Sequence, residues 1–196
     1  MKTFPRLRRV RTLAACAALL LGGNAHAQAL EVATSFSILG DLVAQVGGER
    51  VKVRTLVGPD EDAHAFQPRP SDAREIGAAA LVVVNGLGFD DWMTRLARAG
   101  GFKGTVVVAS AGISTLEMTR DDGHGHSHGH DHDHGKDEGK GKAVDPHAWQ
   151  DIANVRRYVA NIAGALAAAD PEGATAYRSA AERYDGELQA LDAEIR

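Results

Sequence analysis

The sequence predicts an α/β fold, a four-stranded parallel sheet flanked by helices and followed by one long helix. Strand-type and helix-type patterns alternate along residues 30–110, the signature of helices crossing over between parallel strands. One of these runs, Leu81-Val82-Val83-Val84-Asn85, is apolar almost without interruption, as expected of a strand covered on both faces. The C-terminal part carries two apolar series spaced 3, 4, 3, 4, which predict two helices.

The chain opens on a segment outside that fold. Lys2, Arg6, Arg8, Arg9 and Arg11 precede an apolar stretch from Leu13 to Leu21, and Ala25-His26-Ala27 offers a small-x-small cleavage site before Gln28. This is the pattern of a cleavable signal peptide over residues 1–27 and predicts export to the periplasm. The apolar stretch is too short to span a bilayer. Leu13-Ala14-Ala15-Cys16 has the look of a lipobox, but Cys16 follows the arginines with no apolar stretch before it, so cleavage is the preferred reading.

Residues 28–170 form the predicted α/β domain. Leu30 to Thr34 reads as a first strand, and Ile38, Leu39, Leu42, Val43 and Val46 as a helix closed by Gly47-Gly48. Val51 to Val57 is a second strand, stopped by Gly58-Pro59. A polar loop containing His64 leads to a helix beginning at Ser71 and Asp72 and reaching about Ala80. After the Leu81–Asn85 strand, Gly86 to Asp90 turns into a helix carrying Trp92, Met93, Leu96 and Ala97. Thr105 to Ser110 is a fourth strand. In such a sheet, ligands sit beyond the carboxyl ends of the strands, so the loops holding His64 and His147 can meet at one edge.

A helix follows with Ile152, Val155, Val159, Ile162 and Leu166 on one face. Asp170-Pro171-Glu172 starts the last helix, with Asp170 as cap and Pro171 in the first turn. Tyr177, Ala181, Tyr184, Leu188, Leu191 and Ile195 mark its face, and the pattern is still running at Arg196. From Pro171 it would extend roughly 39 Å at about 1.5 Å per residue. The expectation is that residues 171–196 begin a linking helix and that a second lobe follows.

Six of the nine histidines stand at alternate positions, His124, His126, His128, His130, His132 and His134, among Gly, Ser, Asp131 and Asp133. Free imidazole titrates at about 6.5, so these rings are mostly neutral near pH 7 and can donate a lone pair to zinc, copper or nickel. A tag would be terminal and uninterrupted, which favours metal interaction. About residues 121–143 the composition is almost devoid of apolar side chains, and a mobile insertion is expected. Such a tract cannot preorganise ligands, so it is read as an accessory, low-affinity metal site rather than the main one.

Composition narrows the chemistry. The formal net charge is −4, and loss of the basic leader makes the remainder more acidic, which argues against nucleic acid as a partner. The single cysteine lies in the leader, so disulfides and thiolate zinc sites are excluded from the rest. Any metal must be held by His, Asp and Glu.

Four motifs stand in order: Thr34-Ser35-Phe36-Ser37-Ile38-Leu39-Gly40-Asp41, Gly58 to Asp72 around His64, Asn85-Gly86-Leu87-Gly88-Phe89-Asp90-Asp91-Trp92, and Asp145-Pro146-His147-Ala148-Trp149. Together they resemble the zinc and manganese solute-binding proteins of ABC transporters, the ZnuA/TroA-like group, over that family's N-terminal half. The resemblance implies one lobe of a two-lobed metal-binding protein that takes Zn²⁺, with Mn²⁺ as the alternative. It further implies delivery to a permease in the inner membrane by a monomer that catalyses no reaction. It makes His64 and His147 metal ligands, the remaining ones being expected beyond Arg196. Some relatives carry an acidic residue just before the first His, where this chain has Ala63. Glu61 and Asp62 stand near enough to support the ligands or substitute for them. Arg69 and Asp72 are expected to fix the His64 loop, and Trp92 and Trp149 to serve packing.

A secreted zinc hydrolase is the rival of another class. It would need a third protein ligand and a general base, and neither His-Glu-x-x-His nor Gly-x-Ser-x-Gly occurs. A passive zinc buffer or adhesin on the same fold is a further alternative.

Overall fold

The structure, a computed structural model, describes residues 28–119 and 142–196. Residues 1–27, read as a signal peptide, and the six-histidine tract lie outside the described residues. Within them the elements run β1 (Leu30–Phe36), α1 (Ser37–Gly47), β2 (Val51–Val57), α2 (Pro70–Gly77), β3 (Leu81–Val84), α3 (Asp91–Ala99) and β4 (Thr105–Val108). A short hairpin of β5 (Glu117–Thr119) and β6 (Lys142–Val144) follows, then α4 (Ile152–Ala169) and α5 (Ala174–Ile195). Among the described residues no helix is long and apolar enough to cross a membrane.

The four main strands pair in parallel in the order β2-β1-β3-β4. Every residue of β3 is buried, because β3 is central and covered on both faces, as its unbroken apolar run predicts. Alternation divides its side chains. Leu81 and Val83 join Val32, Leu39, Val43, Tyr158, Ile162 and Tyr177 in the larger core, beneath α1, α4 and α5. Val82 and Val84 join Ala33, Ile76, Met93 and Ala97 beneath α2 and α3. The helices of the second layer approach very closely. A Cβ on Gly77 would lie 2.2 Å from the Gly100 carbonyl oxygen, and one on Gly100 1.9 Å from that of Ala73, so backbone packs on backbone there.

Several boundaries differ from the expected ones. β1 runs on to Phe36, and α2 begins at Pro70, where the fixed φ of proline suits the first helical position. The last helix is preceded by a 3₁₀ turn, Pro171–Gly173, over which the Asp170 carboxylate accepts a hydrogen bond from the Gly173 N–H at 3.2 Å. The β5–β6 hairpin is a feature the sequence reading lacks. Its second strand occupies Lys142–Val144, whose first two residues fall within the stretch expected to be a mobile insertion.

Candidate metal centre

The sheet order reverses direction at β1. The chain leaves β1 towards β2, then returns across it to β3, and a crevice opens beyond the carboxyl ends of the strands at that switch. Four loops meet there: the β1–α1 junction at Phe36, the β2–α2 loop with His64, the β3–α3 loop with Phe89, and the segment after β6 with His147.

Local hydrogen bonds shape the His64 loop. The Glu61 carboxylate accepts from the Gly58 N–H at 2.7 Å, and the Asp62 carboxylate from the His64 N–H at 2.8 Å. Both acids thus act through the backbone of the loop. At its far end the Asp72 carboxylate accepts from the Arg69 N–H at 2.7 Å and caps α2. His64 itself is exposed.

The β3–α3 loop is wound tightly. Gly86, Leu87 and Gly88 all have positive φ, at 84°, 58° and 81°, and for Leu87 that is a costly conformation. Asp90 closes the loop: one carboxylate oxygen accepts from the Ser35 hydroxyl at 2.5 Å and the Asn85 N–H at 2.6 Å, the other from the Gly86 N–H at 2.9 Å. Burial pushes the Asp90 carboxyl above the ordinary range, while these three donors oppose that rise. The loop thereby projects Phe89, whose ring lies edge-on to His64, Phe36 and Trp149 at centroid distances of 4.9, 5.1 and 4.8 Å.

His147 is held from behind. Asp145 Oδ1 accepts from the His147 backbone N–H at 2.9 Å and faces its ring Nδ1 at 2.8 Å. With the Nδ1 proton directed at the carboxylate, Nε2 carries the lone pair. The hydrogen bonds from the His147 N–H and imidazole hold the Asp145 carboxyl below its ordinary range, so the acceptor is ionised near neutral pH. Trp149 flanks the ring at 5.3 Å.

The two imidazoles converge. His147 Nε2 lies 3.2 Å from His64 Nε2 across 83 residues of sequence. Nitrogens that far apart, each at the usual ~2.0–2.1 Å from zinc, would subtend about 100° at the ion, close to a tetrahedral edge. Among the described residues no group of three or more His, Cys, Asp or Glu is disposed to hold an ion. The pair lies beside a small cavity of about 190 Å³ lined by Ser114, Leu116, Asp145, His147, Asp151 and Asn154.

Trp149 and Trp92 do pack, Trp149 on Phe36 at 4.8 Å and Trp92 on Phe66 at 4.8 Å. The sequence reading missed the supporting role of Asp145, although its place two residues before a histidine is a usable signal. It also missed Asn85, Asp90 and Tyr158, whose buried hydrogen bonds organise the edge.

Comparison with known proteins places this geometry in context. The family model described as "ZnuA: Zinc-uptake complex component A periplasmic" matches residues 32–196. The chain is 35% identical over 179 residues to the manganese-binding lipoprotein MntA of Halalkalibacterium halodurans, covering 91% of this chain and 53% of that protein. It is 28% identical over 170 residues to the iron-binding protein YfeA of Yersinia pestis, covering 87% and 49%. A solved Mn-bound periplasmic metal-binding protein from Candidatus Liberibacter asiaticus aligns with a TM-score of 0.65 and 28% identity, over 81% of this chain and 52% of that one. A crystal structure of ZnuA, at 24% identity and a TM-score of 0.70 over 86% and 58%, shares the fold. The chain thus spans about half the length of the relatives it matches.

Proposed function

We propose, on the premise that this chain belongs to the ZnuA family of periplasmic zinc-uptake components, that it captures a divalent transition-metal ion and passes it to an ABC importer. The observation that carries this reading is the 3.2 Å approach of the His64 and His147 Nε2 atoms, with Asp145 behind the second ring. The role consists of binding and release alone, since the family comprises substrate-binding components rather than enzymes. The protein works as a monomer in the periplasm, its cargo the ion and its partner the permease. Ligands from outside the described residues complete the coordination.

Zinc is the proposed cargo. Both ligands are imidazoles, Ala63 stands where an oxygen donor would favour harder ions, and the tract from His124 to His134 is suited to the same metal at lower affinity. Manganese is the second reading, favoured by the manganese-binding relative at 35% identity. Manganese tolerates fewer nitrogen donors, so the balance of oxygen ligands decides between the two.

Titration of the full chain with Zn²⁺ and Mn²⁺ against a chromophoric chelator tests both points. His64→Ala and His147→Ala are each expected to weaken zinc binding by about 100-fold or more, because removing one of few ligands leaves an incomplete set. Unchanged affinity in both variants overturns the site; tighter binding of Mn²⁺ than Zn²⁺ by the unmodified chain overturns the choice of metal.

A further inference from the structure

Asn85 stands just beyond the carboxyl end of β3, fully buried. All of its polar groups are engaged. Its side-chain N–H₂ donates to the Pro146 carbonyl and the Gly86 carbonyl, each at 3.0 Å, and its Oδ1 accepts from the Tyr158 hydroxyl at 2.6 Å. Its backbone N–H goes to Asp90, and its carbonyl accepts from the Ser110 hydroxyl at 2.6 Å. One amide therefore ties together the ends of β3 and β4, the Phe89 loop, α4 and the residue immediately before His147.

We infer that Asn85 is the positioning residue for His147, fixing through the Pro146 carbonyl where that imidazole presents its Nε2. The inference rests on the metal-binding reading above. Among the side-chain hydrogen bonds of the Asp145–His147 segment, those of Asp145 are internal to it. The bond from Asn85 to Pro146 spans 61 residues and joins the segment to the sheet. Asp145 sets the ring relative to its own backbone; Asn85 sets that backbone relative to β3, and so relative to Phe89 and His64. Tyr158 has a different part. Its hydroxyl, pushed up to about 12 by burial, remains a donor at neutral pH and orients the amide so that the N–H₂ faces Pro146. The chemistry demands an amide here, since a carboxylate in the same shape would set a second acceptor against two carbonyl oxygens.

The test uses the full chain with Zn²⁺ as the probe. Asn85→Asp keeps the acceptor for Tyr158 and loses the donor to Pro146; Asn85→Ser shortens the side chain without burying a charge; Tyr158→Phe leaves the Pro146 bond in place. Both Asn85 variants are expected to weaken zinc binding by about tenfold, the low end of what supporting groups of metal ligands cost, and Tyr158→Phe by less than about threefold. Histidine ring NMR signals of the metal-free protein supply the second readout: His147 should shift in the Asn85 variants while His64 stays. A purely structural role predicts instead that affinity follows thermal stability across all three variants, and that result overturns the inference. So does wild-type zinc affinity in a folded Asn85 variant. If His147→Ala abolishes tight binding while Asn85→Ser does not alter it, the site reading survives and this inference fails.

Discussion

The part proposed for His147 as a ligand rests on what lies on its far side. An imidazole whose Nδ1 proton is directed at a carboxylate is fixed in tautomer and orientation, and is a better base at Nε2. Asp145 provides that carboxylate at 2.8 Å and anchors the same residue's N–H at 2.9 Å. Asp145→Asn keeps an acceptor but loses the charge and is expected to weaken zinc binding about tenfold, with Asp145→Ala nearer a hundredfold, as measured by chelator competition. Equal affinity in all three proteins would remove Asp145 from the site. That the loops of His64 and His147 meet at one edge of the sheet was legible in the sequence, because each histidine sits in a motif that follows the alternating strands in order. The pairing of the Asp145 carboxylate with the His147 ring was legible only as a candidate, because a carboxylate two residues before a histidine can as easily turn to solvent. Glu61 and Asp62 reach the His64 loop through its backbone, Asp62 accepting from the N–H of His64 itself and Glu61 from that of Gly58.

At the scale of elements, β3 and β4 were legible as runs of valine, and β2 as a β-branched run stopped by Gly58-Pro59. The β5–β6 hairpin was not. Three residues per strand, Glu-Met-Thr against Lys-Ala-Val, are too few for alternation to register, and the pairing is set by neighbouring structure such as the Asp145 N–H bond to the Leu116 carbonyl at 2.9 Å. The corner between α4 and α5 was legible as a helix start but not as a tether. Asp170 receives hydrogen bonds from the buried Tyr177 hydroxyl at 2.7 Å, Arg50 Nε at 2.9 Å and the Gly173 N–H, joining the helical pair to the turn before β2. The Tyr177 hydroxyl, followed by Arg50, holds the Asp170 carboxyl below its ordinary range. A depressed carboxylate contributes stability above its unfolded pKa of about 3.9 and loses that contribution as pH falls through the folded value. Asp170→Asn should therefore cost roughly 2 kcal/mol at neutral pH. Thermal melts should find the gap between variant and parent closing below about pH 4. A gap of constant size down to acid would mean that the charge of Asp170 contributes nothing.

For the molecule as a whole, the histidines fall at two kinds of place along the chain. His64 and His147 sit at an edge built by the sheet, whereas His124 to His134 fall between the arms of the β5–β6 hairpin. The hairpin register pairs Thr119 with Lys142, Met118 with Ala143 and Glu117 with Val144. The two ends of the intervening sequence are therefore opposite one another in an antiparallel ladder, the arrangement a tight turn closes. Replacing residues 120–141 with a short Asn-Gly turn should leave the ladder, Asp145 and the His147 Nε2 position where they are. The expected outcome, in isothermal titration of zinc into the full chain and the shortened one, is loss of weaker zinc equivalents with the tightest class changed by less than about threefold, since no ligand of that class is removed. Loss of the tightest class on shortening, with circular dichroism unchanged, would return the alternating histidines to the centre of the binding reaction and reduce His64 and His147 to neighbours.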